Sequence, residues 1–147
     1  MRQSEAAVAI IRRTRNGQTH WLAQWNKNWG AFHFVAGHRQ PDETFRECLV
    51  REIAEELQLH EGPDFRVSGQ EPLHQEFVEF SRSAQTETRY IMDLFNVKLN
   101  DTADPKVDSE SANRWLSEVE IEAEKTDDGR PVSPTMKRLI GAMNQPL

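Results

Sequence analysis

Residues 37–59 read GHRQPDETFRECLVREIAEELQL. Phe45, Leu49, Ile53 and Leu57 recur every four residues, which predicts an amphipathic helix from Thr44 to about Leu57. Gly37 and Pro41 break the chain before it. Pro41, Asp42 and Glu43 bring turn formers and acids to the helix start, where negative charge complements the dipole. Each helical residue turns by about 100°. Glu52, Glu55 and Glu56, three and four positions apart, therefore share one arc. Cys48 and Phe45 lie on the same side one and two turns earlier, so the acids continue an inward-leaning face.

Three carboxylates on one arc repel, at about 0.2–0.5 kcal/mol per exposed pair and more when partly buried. A hard divalent cation reverses the sign of that cost. Mg²⁺ takes oxygen ligands and is commonly shared between carboxylates and substrate phosphates. It neutralises charge, polarises phosphate and activates water, as phosphoryl chemistry requires. The competing reading of the bare triplet is a Glu-rich helix face in solvent. Arg51, just before the triplet, has Glu47 and Glu55 as partners at four-residue spacing.

Outward from this helix the chain reads as alternating strands and helices. Ala6–Thr14 and Thr19–Trp25 flank Arg15-Asn16-Gly17-Gln18, and Asn-Gly between β-prone runs signals a hairpin. A third strand is expected near Phe32–Val35. After Gly62-Pro63 two strands follow, Leu73–Ser81 and Arg89–Leu99, joined by a polar loop over 82–88. Residues 100–111 read as a polar, acidic loop, and Trp115-Leu116 as a short apolar patch. Ser117-Glu118-Val119-Glu120 fits a capping box opening a helix. Asp127–Val132 reads as a loop. Ser133-Pro134 fits an N-cap before a last helix ending near Met143. With no linker and no repeat, residues 1–147 are expected to form a single domain of α/β or α+β class.

The 147 residues carry 24 Asp plus Glu against 18 Lys plus Arg, a net charge of -6. That disfavours a broad basic DNA-binding surface. An acidic protein still binds an anionic substrate when divalent cations supply the positive charge. No stretch approaches the roughly 18 apolar residues of a membrane span. Cys48 is the only cysteine, so neither an internal disulfide nor a cysteine metal cluster can form, and a cytoplasmic location is expected.

The segment 37–59 resembles the Nudix box: Gly, five residues, Glu, seven residues, Arg-Glu, an aliphatic, any residue, Glu-Glu, any residue, Gly, an aliphatic. Gly37, Glu43, Arg51, Glu52, Ile53, Glu55, Glu56 and Leu59 fall in register. The one departure inside the box is Gln58, where the family has glycine. That glycine ends the helix in a left-handed conformation, so Gln58 is expected to cost about 1 kcal/mol. Upstream, Val35-Ala36-Gly37 stands where the family often has Pro-Gly-Gly. The Asn-Gly hairpin, the later β pair and Arg114-Trp115-Leu116-Ser117 follow the usual order of Nudix elements. The resemblance implies an α/β/α sandwich with a mixed β-sheet. It implies Mg²⁺ or Mn²⁺ and hydrolysis of a diphosphate linkage in a nucleoside diphosphate joined to another group. It makes Glu52, Glu55 and Glu56 metal ligands, with the Ala36 backbone carbonyl a further one. Arg51 and Glu43 become orienting residues held by ion pairs. A homodimer is in keeping with the family.

In-line attack by water also needs a base, and Glu52 is the first choice within the box, with Glu55 beside it. Asp108 and Glu110 lie shortly before Trp115, where similar proteins often place an extra acid; the alternative is that both are solvated loop acids. His38 and Arg39 follow the box glycine and are candidates for a substrate phosphate. His20, His33, His38, His60 and His74 show no paired metal spacing. Trp21, Trp25 and Trp29 are candidates for core or rim, or for stacking a base. Cys48 reads as core rather than nucleophile, and Lys137 and Arg138 as the solvated face of the last helix. A small-molecule, nucleotide-type substrate is expected; the alternative is a module of the same fold that binds a nucleotide without turning it over.

Overall fold

Asn16 and Gly17 take φ of 52° and 77°, the left-handed pair that a two-residue hairpin demands. They join β1 (Arg2–Arg15) to β2 (Gln18–Asn26), with Arg15 opposite Gln18 and Arg12 opposite Trp21. In this computed structural model, which describes residues 1–144, β1 is the strand around which the rest is arranged. Ten of its residues, Arg2 to Ile11, run parallel to β7 (Thr86–Leu99). Its other edge pairs antiparallel with β2 and with β4 (Val35–His38). The sheet is therefore mixed.

Both faces of β1 are covered, which is why Ala6–Ile11 is a continuous apolar run without alternation. Ala7, Ala9 and Ile11 pack against Cys48, Leu49, Ile53 and Leu57 of α1 (Phe45–Leu57). Ala6, Val8 and Ile10 share the opposite core with Met136, Leu139 and Ile140 of α4 (Pro134–Met143). The sheet lies between these helices, as an α/β/α sandwich requires. In that second core the buried Trp21 Nε1 has no hydrogen-bond partner among the described residues, an arrangement that costs about 1–3 kcal/mol.

Several boundaries differ from the sequence expectation. The strand expected over 32–35 is two strands, β3 (Ala31–His33) on β2 and β4 on β1, because the chain changes partner at Phe34. The short β5 (Phe65–Val67) pairs with β7, as does β6 (Leu73–Ser81). The turn between β6 and β7 is shorter than expected, closing at Gln85 with φ 57°. Trp115-Leu116 belongs to a strand, β8 (Asn113–Ser117), on the outer edge of β2. Residues 100–111 are not all loop. Asp104–Ser109 forms α2, with proline in its first turn and with Val107 and the preceding Ala103 fully buried. The expected capping box at Ser117 opens α3 (Glu118–Ala123), and Ser133 caps α4 by accepting from Met136 N–H.

Candidate functional site

The start of α1 is fixed by a capping box that the hydrophobic periodicity did not reveal. Thr44 Oγ1 accepts from Glu47 N–H at 3.1 Å, and Glu47 Oε1 accepts from Thr44 N–H at 2.8 Å. Glu47 is thus committed to the cap, and Arg51 turns elsewhere. Its guanidinium grips Glu43 through both carboxylate oxygens, Nη2 to Oε1 at 2.6 Å and Nε to Oε2 at 3.0 Å. It also donates to the His38 carbonyl at 3.0 Å and to Glu52 Oε1 at 2.8 Å, and approaches Glu55 Oε2 at 3.4 Å. Arg51 and the Gln40 N–H hold the Glu43 carboxyl down at about 2, while the same carboxylates push the Arg51 guanidinium up. This forked pairing ties α1 to the loop before it.

Glu52 is the carboxylate that the fold treats differently. It is buried at the junction of α1 and β4, and it lies directly on Gly37. A Cβ on Gly37 would sit 1.9 Å from Glu52 Cδ and 2.2 Å from Oε1. Glycine is required here for close approach and not for a left-handed backbone, since Gly37 is absent from the positive-φ glycines. Burial raises the Glu52 carboxyl above its ordinary value, against the pull of Arg51. Glu55 is 57 % exposed along its side chain, and Glu56 is exposed too. Among the described residues no three His, Cys, Asp or Glu side chains converge on one point. The arc predicted by the spacing exists, but two of its carboxylates are turned onto Arg51. The donor set fits a hard cation: three neighbouring carboxylates, one of them desolvated and seated in a cradle that only glycine leaves open. Beside them β4 pairs with β1 alone, so one of its backbone edges carries no strand among the described residues. Ala36 lies in this strand, opposite Val8.

Gln58, in place of the box's last glycine, adopts φ 57° and ψ 38° and closes α1 by donating to Ala54 O at 3.1 Å. The helix therefore ends as the box requires, with a side chain in the left-handed region.

The other candidate residues separate. Arg39 is consumed by structure: it pairs with Glu5 at 2.7 Å, donates to the Glu43 carbonyl at 2.9 Å and lies over the Phe45 ring. Its guanidinium holds the α1 entry loop on β1. His38 is exposed, its Nδ1 3.2 Å from Ser4 Oγ. Asp108 is occupied on α2, accepting from Trp115 Nε1 at 3.0 Å and pairing with Arg13 at 3.4 Å. Arg13 lies near the hairpin, six residues along β1 from Ala7, which faces Gly37; that is about 20 Å of strand. Glu110 is placed differently. Its carbonyl accepts from Asn113 N–H, Asn113 Oδ1 accepts from Gln24, and the same Gln24 amide donates to the Glu56 carbonyl at 3.0 Å. Its side chain is exposed and makes no hydrogen bond among the described residues. Cys48 is buried, donates to the Gly37 carbonyl at 3.4 Å and has its thiol pushed up to about 11 by burial, as befits a core residue. His33 is buried against Ser133, 2.8 Å away, and burial lowers its ring to about 4. Trp21 is core and Trp25 packs edge-on against Phe32, whereas Trp29 is 36 % exposed and tilted on His33.

The family model of the NUDIX domain matches residues 3–136. The chain belongs to this family. NUDIX proteins are generally pyrophosphohydrolases of nucleoside diphosphates and typically use a divalent metal. Among solved structures, a Caenorhabditis elegans Ap4A hydrolase superposes with a TM-score of 0.63 at 18% identity, over 97% of this chain and 96% of that one. A NUDIX hydrolase from Nitrosomonas europaea gives 0.62 at 20% identity, over 97% and 88%. NrtR from Shewanella oneidensis gives 0.64 at 16% identity, covering 95% of this chain and 60% of that one. These likenesses establish the shared fold. No curated protein matches the sequence. No helix among the described residues is long and apolar enough to cross a membrane.

Proposed function

We propose that this NUDIX protein is a Mg²⁺- or Mn²⁺-dependent hydrolase that cleaves the diphosphate linkage of a nucleoside diphosphate joined to another group. Glu52, Glu55 and Glu56 are the carboxylates that hold the cation, with the Ala36 carbonyl on the strand beside them as a further oxygen. Bound there, the cation supplies charge neutralisation and a polarised phosphate. Arg51 and Glu43 keep α1 and the loop before it in one arrangement, so that Glu52 stays on Gly37. Glu52 is held by Arg51 and packed on the glycine, which suits a ligand more than a mobile base. Glu55, exposed and held only at 3.4 Å, takes the proton of the attacking water, and Glu110 is the alternative acceptor from outside the box. His38, exposed at the end of β4, is a further contact for substrate phosphate. A cavity of about 530 Å³ lined by Trp29, Tyr90, Phe80 and the Ser133–Thr135 segment presents aromatic surface on the α4 side of the sheet.

The observation that carries this reading is the desolvated Glu52 carboxylate seated on Gly37 within an intact set of box acids. Turnover of a nucleotide panel with Mg²⁺, Mn²⁺ or EDTA tests it. Phosphate or nucleotide release that requires the metal supports hydrolysis; release that survives complete chelation overturns it. A NUDIX domain of NrtR has been crystallised with ADP ribose, and a module that only binds such a ligand predicts affinity with no product on the whole panel.

A further inference from the structure

The even-numbered residues of β1 and β7 face the α4 side of the sheet, away from α1. Past the reach of α4 that face ends in a groove of about 540 Å³. Arg12, Arg66 and Lys98 line it, with Asn96 and Gly69. Arg66 and Lys98 are directly opposite each other on β5 and β7. Ile11 faces Val97 in the parallel ladder, so Arg12 and Lys98, the next residue on each strand, are laterally aligned. Three cations thus form a row across β1, β7 and β5, at adjacent-strand spacing of about 5 Å.

Like charges directly opposite on neighbouring strands destabilise a sheet, and this chain does it in a protein of net charge -6. All three side chains are exposed, and none belongs to an ion pair among the described residues. Arg12 is oriented by donating to Asn96 Oδ1 at 3.0 Å. The row lies on the opposite sheet face from α1 and on the far side of β1 from β4, so it is separate from the box.

We propose that this groove is a second anion site, which takes a linear oligophosphate chain along the Arg12–Lys98–Arg66 row. Guanidinium forks and an ammonium recognise successive phosphate groups, and a row spanning about 10 Å suits several phosphates in line rather than one. Gly69 borders the groove with open space around its Cβ position and no left-handed φ. An acidic side chain can therefore be set there without strain.

Isothermal titration of the full chain with sodium tripolyphosphate, in EDTA and low salt, tests the site. The wild type should bind one equivalent. The double variant Arg66→Gln, Lys98→Gln should bind at least about tenfold more weakly, and so should Gly69→Asp, while Glu52→Gln, Glu56→Gln binds as wild type. The ligand-free melting temperature of the first variant should not fall, because the opposed charges are gone. ATP binding as tightly as tripolyphosphate assigns recognition to the phosphate chain; tighter ATP binding adds a nucleoside contact at the same groove. No binding to the wild type, or undiminished binding to both groove variants, overturns the proposal.

Discussion

Replacing Gly37 by alanine separates placement of the site from stability of the fold. The new Cβ would lie 1.9 Å from Glu52 Cδ, 2.2 Å from Oε1 and 2.4 Å from Cγ. Carbon atoms rest at about 3.5 Å or more, so the carboxylate must withdraw by roughly 1.5 Å. That movement ends its 2.8 Å bond to Arg51. The atoms displaced are the end of a flexible side chain, and the glycine's φ suits alanine. The lost charged contact costs about 1–2 kcal/mol, because the arginine is only 25% exposed along its side chain and its partner 12%. The lower entropy of the unfolded chain returns about 0.4–1 kcal/mol. Tm should therefore stay within a few degrees of wild type. Activity should fall steeply, because misplacing a reacting group by ~1 Å costs on the order of 100-fold. Turnover of the best panel substrate under saturating Mg²⁺, beside a thermal melt, measures both. Activity within about twofold of wild type would refute the role given to Glu52, since the displacement of ~1.5 Å is unavoidable. Loss of folding would instead make Gly37 a packing residue.

Three further outcomes follow from the same geometry. The Glu43 carboxyl is held at about 2, below its ordinary 4.5, so the folded chain binds fewer protons than the unfolded one between those values and gains stability as pH rises through them; Glu43→Gln should lower Tm at pH 7, and the gap to wild type should close as pH falls from 4.5 towards 2. Glu110→Gln should lower kcat with Tm nearly unchanged, whereas Asp108→Asn, which weakens the contacts to Arg13 and Trp115, should lower Tm and leave kcat alone; the opposite pattern would move the late acid to Asp108. Gln58→Gly relieves a left-handed side chain and should raise Tm by a few degrees, for a gain of about 1 kcal/mol or less; no gain would mean that the Gln58 side chain makes compensating contacts.

The sequence was legible where one local rule dominated. Asn16-Gly17, the four-residue repeat of α1, the Ser117 capping box and Ser133-Pro134 all lie where expected, because turn chemistry and periodicity act over a few residues. Arg51 shows the limit of that reasoning. Helical spacing offers it Glu47 and Glu55, but Glu47 is claimed by Thr44, and the strongest partner, Glu43, lies outside the helix. The box resemblance supplied that pairing; spacing could not. The helix α2 was hidden because only Ala103 and Val107 bury apolar surface around it, too few for a period, and because its N-cap, Ala103, has no capping side chain, although Pro105 lies in its first turn as Pro134 does in that of α4. Asp108 and Glu110, two residues apart in one acidic segment, were indistinguishable until α2 turned one onto Trp115 and left the other beside the Gln24–Glu56 contact. The structural partner of Arg39 was hidden for a similar reason: Glu5 is far away in sequence and adjacent only through the β1–β4 pairing. The row of Arg12, Lys98 and Arg66 likewise exists only through the register of three strands.

The central claim is that the box glutamates hold a divalent cation in the folded protein. Thermal melts of wild type and of the double variant Glu52→Gln, Glu56→Gln, each with and without saturating Mn²⁺, test it without knowing the substrate. A cation bound by the folded state alone contributes RT ln(1 + [L]/Kd), about 2.7 kcal/mol at a hundredfold excess over Kd. Wild-type Tm should rise by several degrees. The metal-free variant should melt no lower than wild type, since repulsion on the arc and the burial of the Glu52 charge are both relieved, and its metal-induced shift should nearly vanish. An equal shift in the two proteins would contradict the account and remove these glutamates from the site.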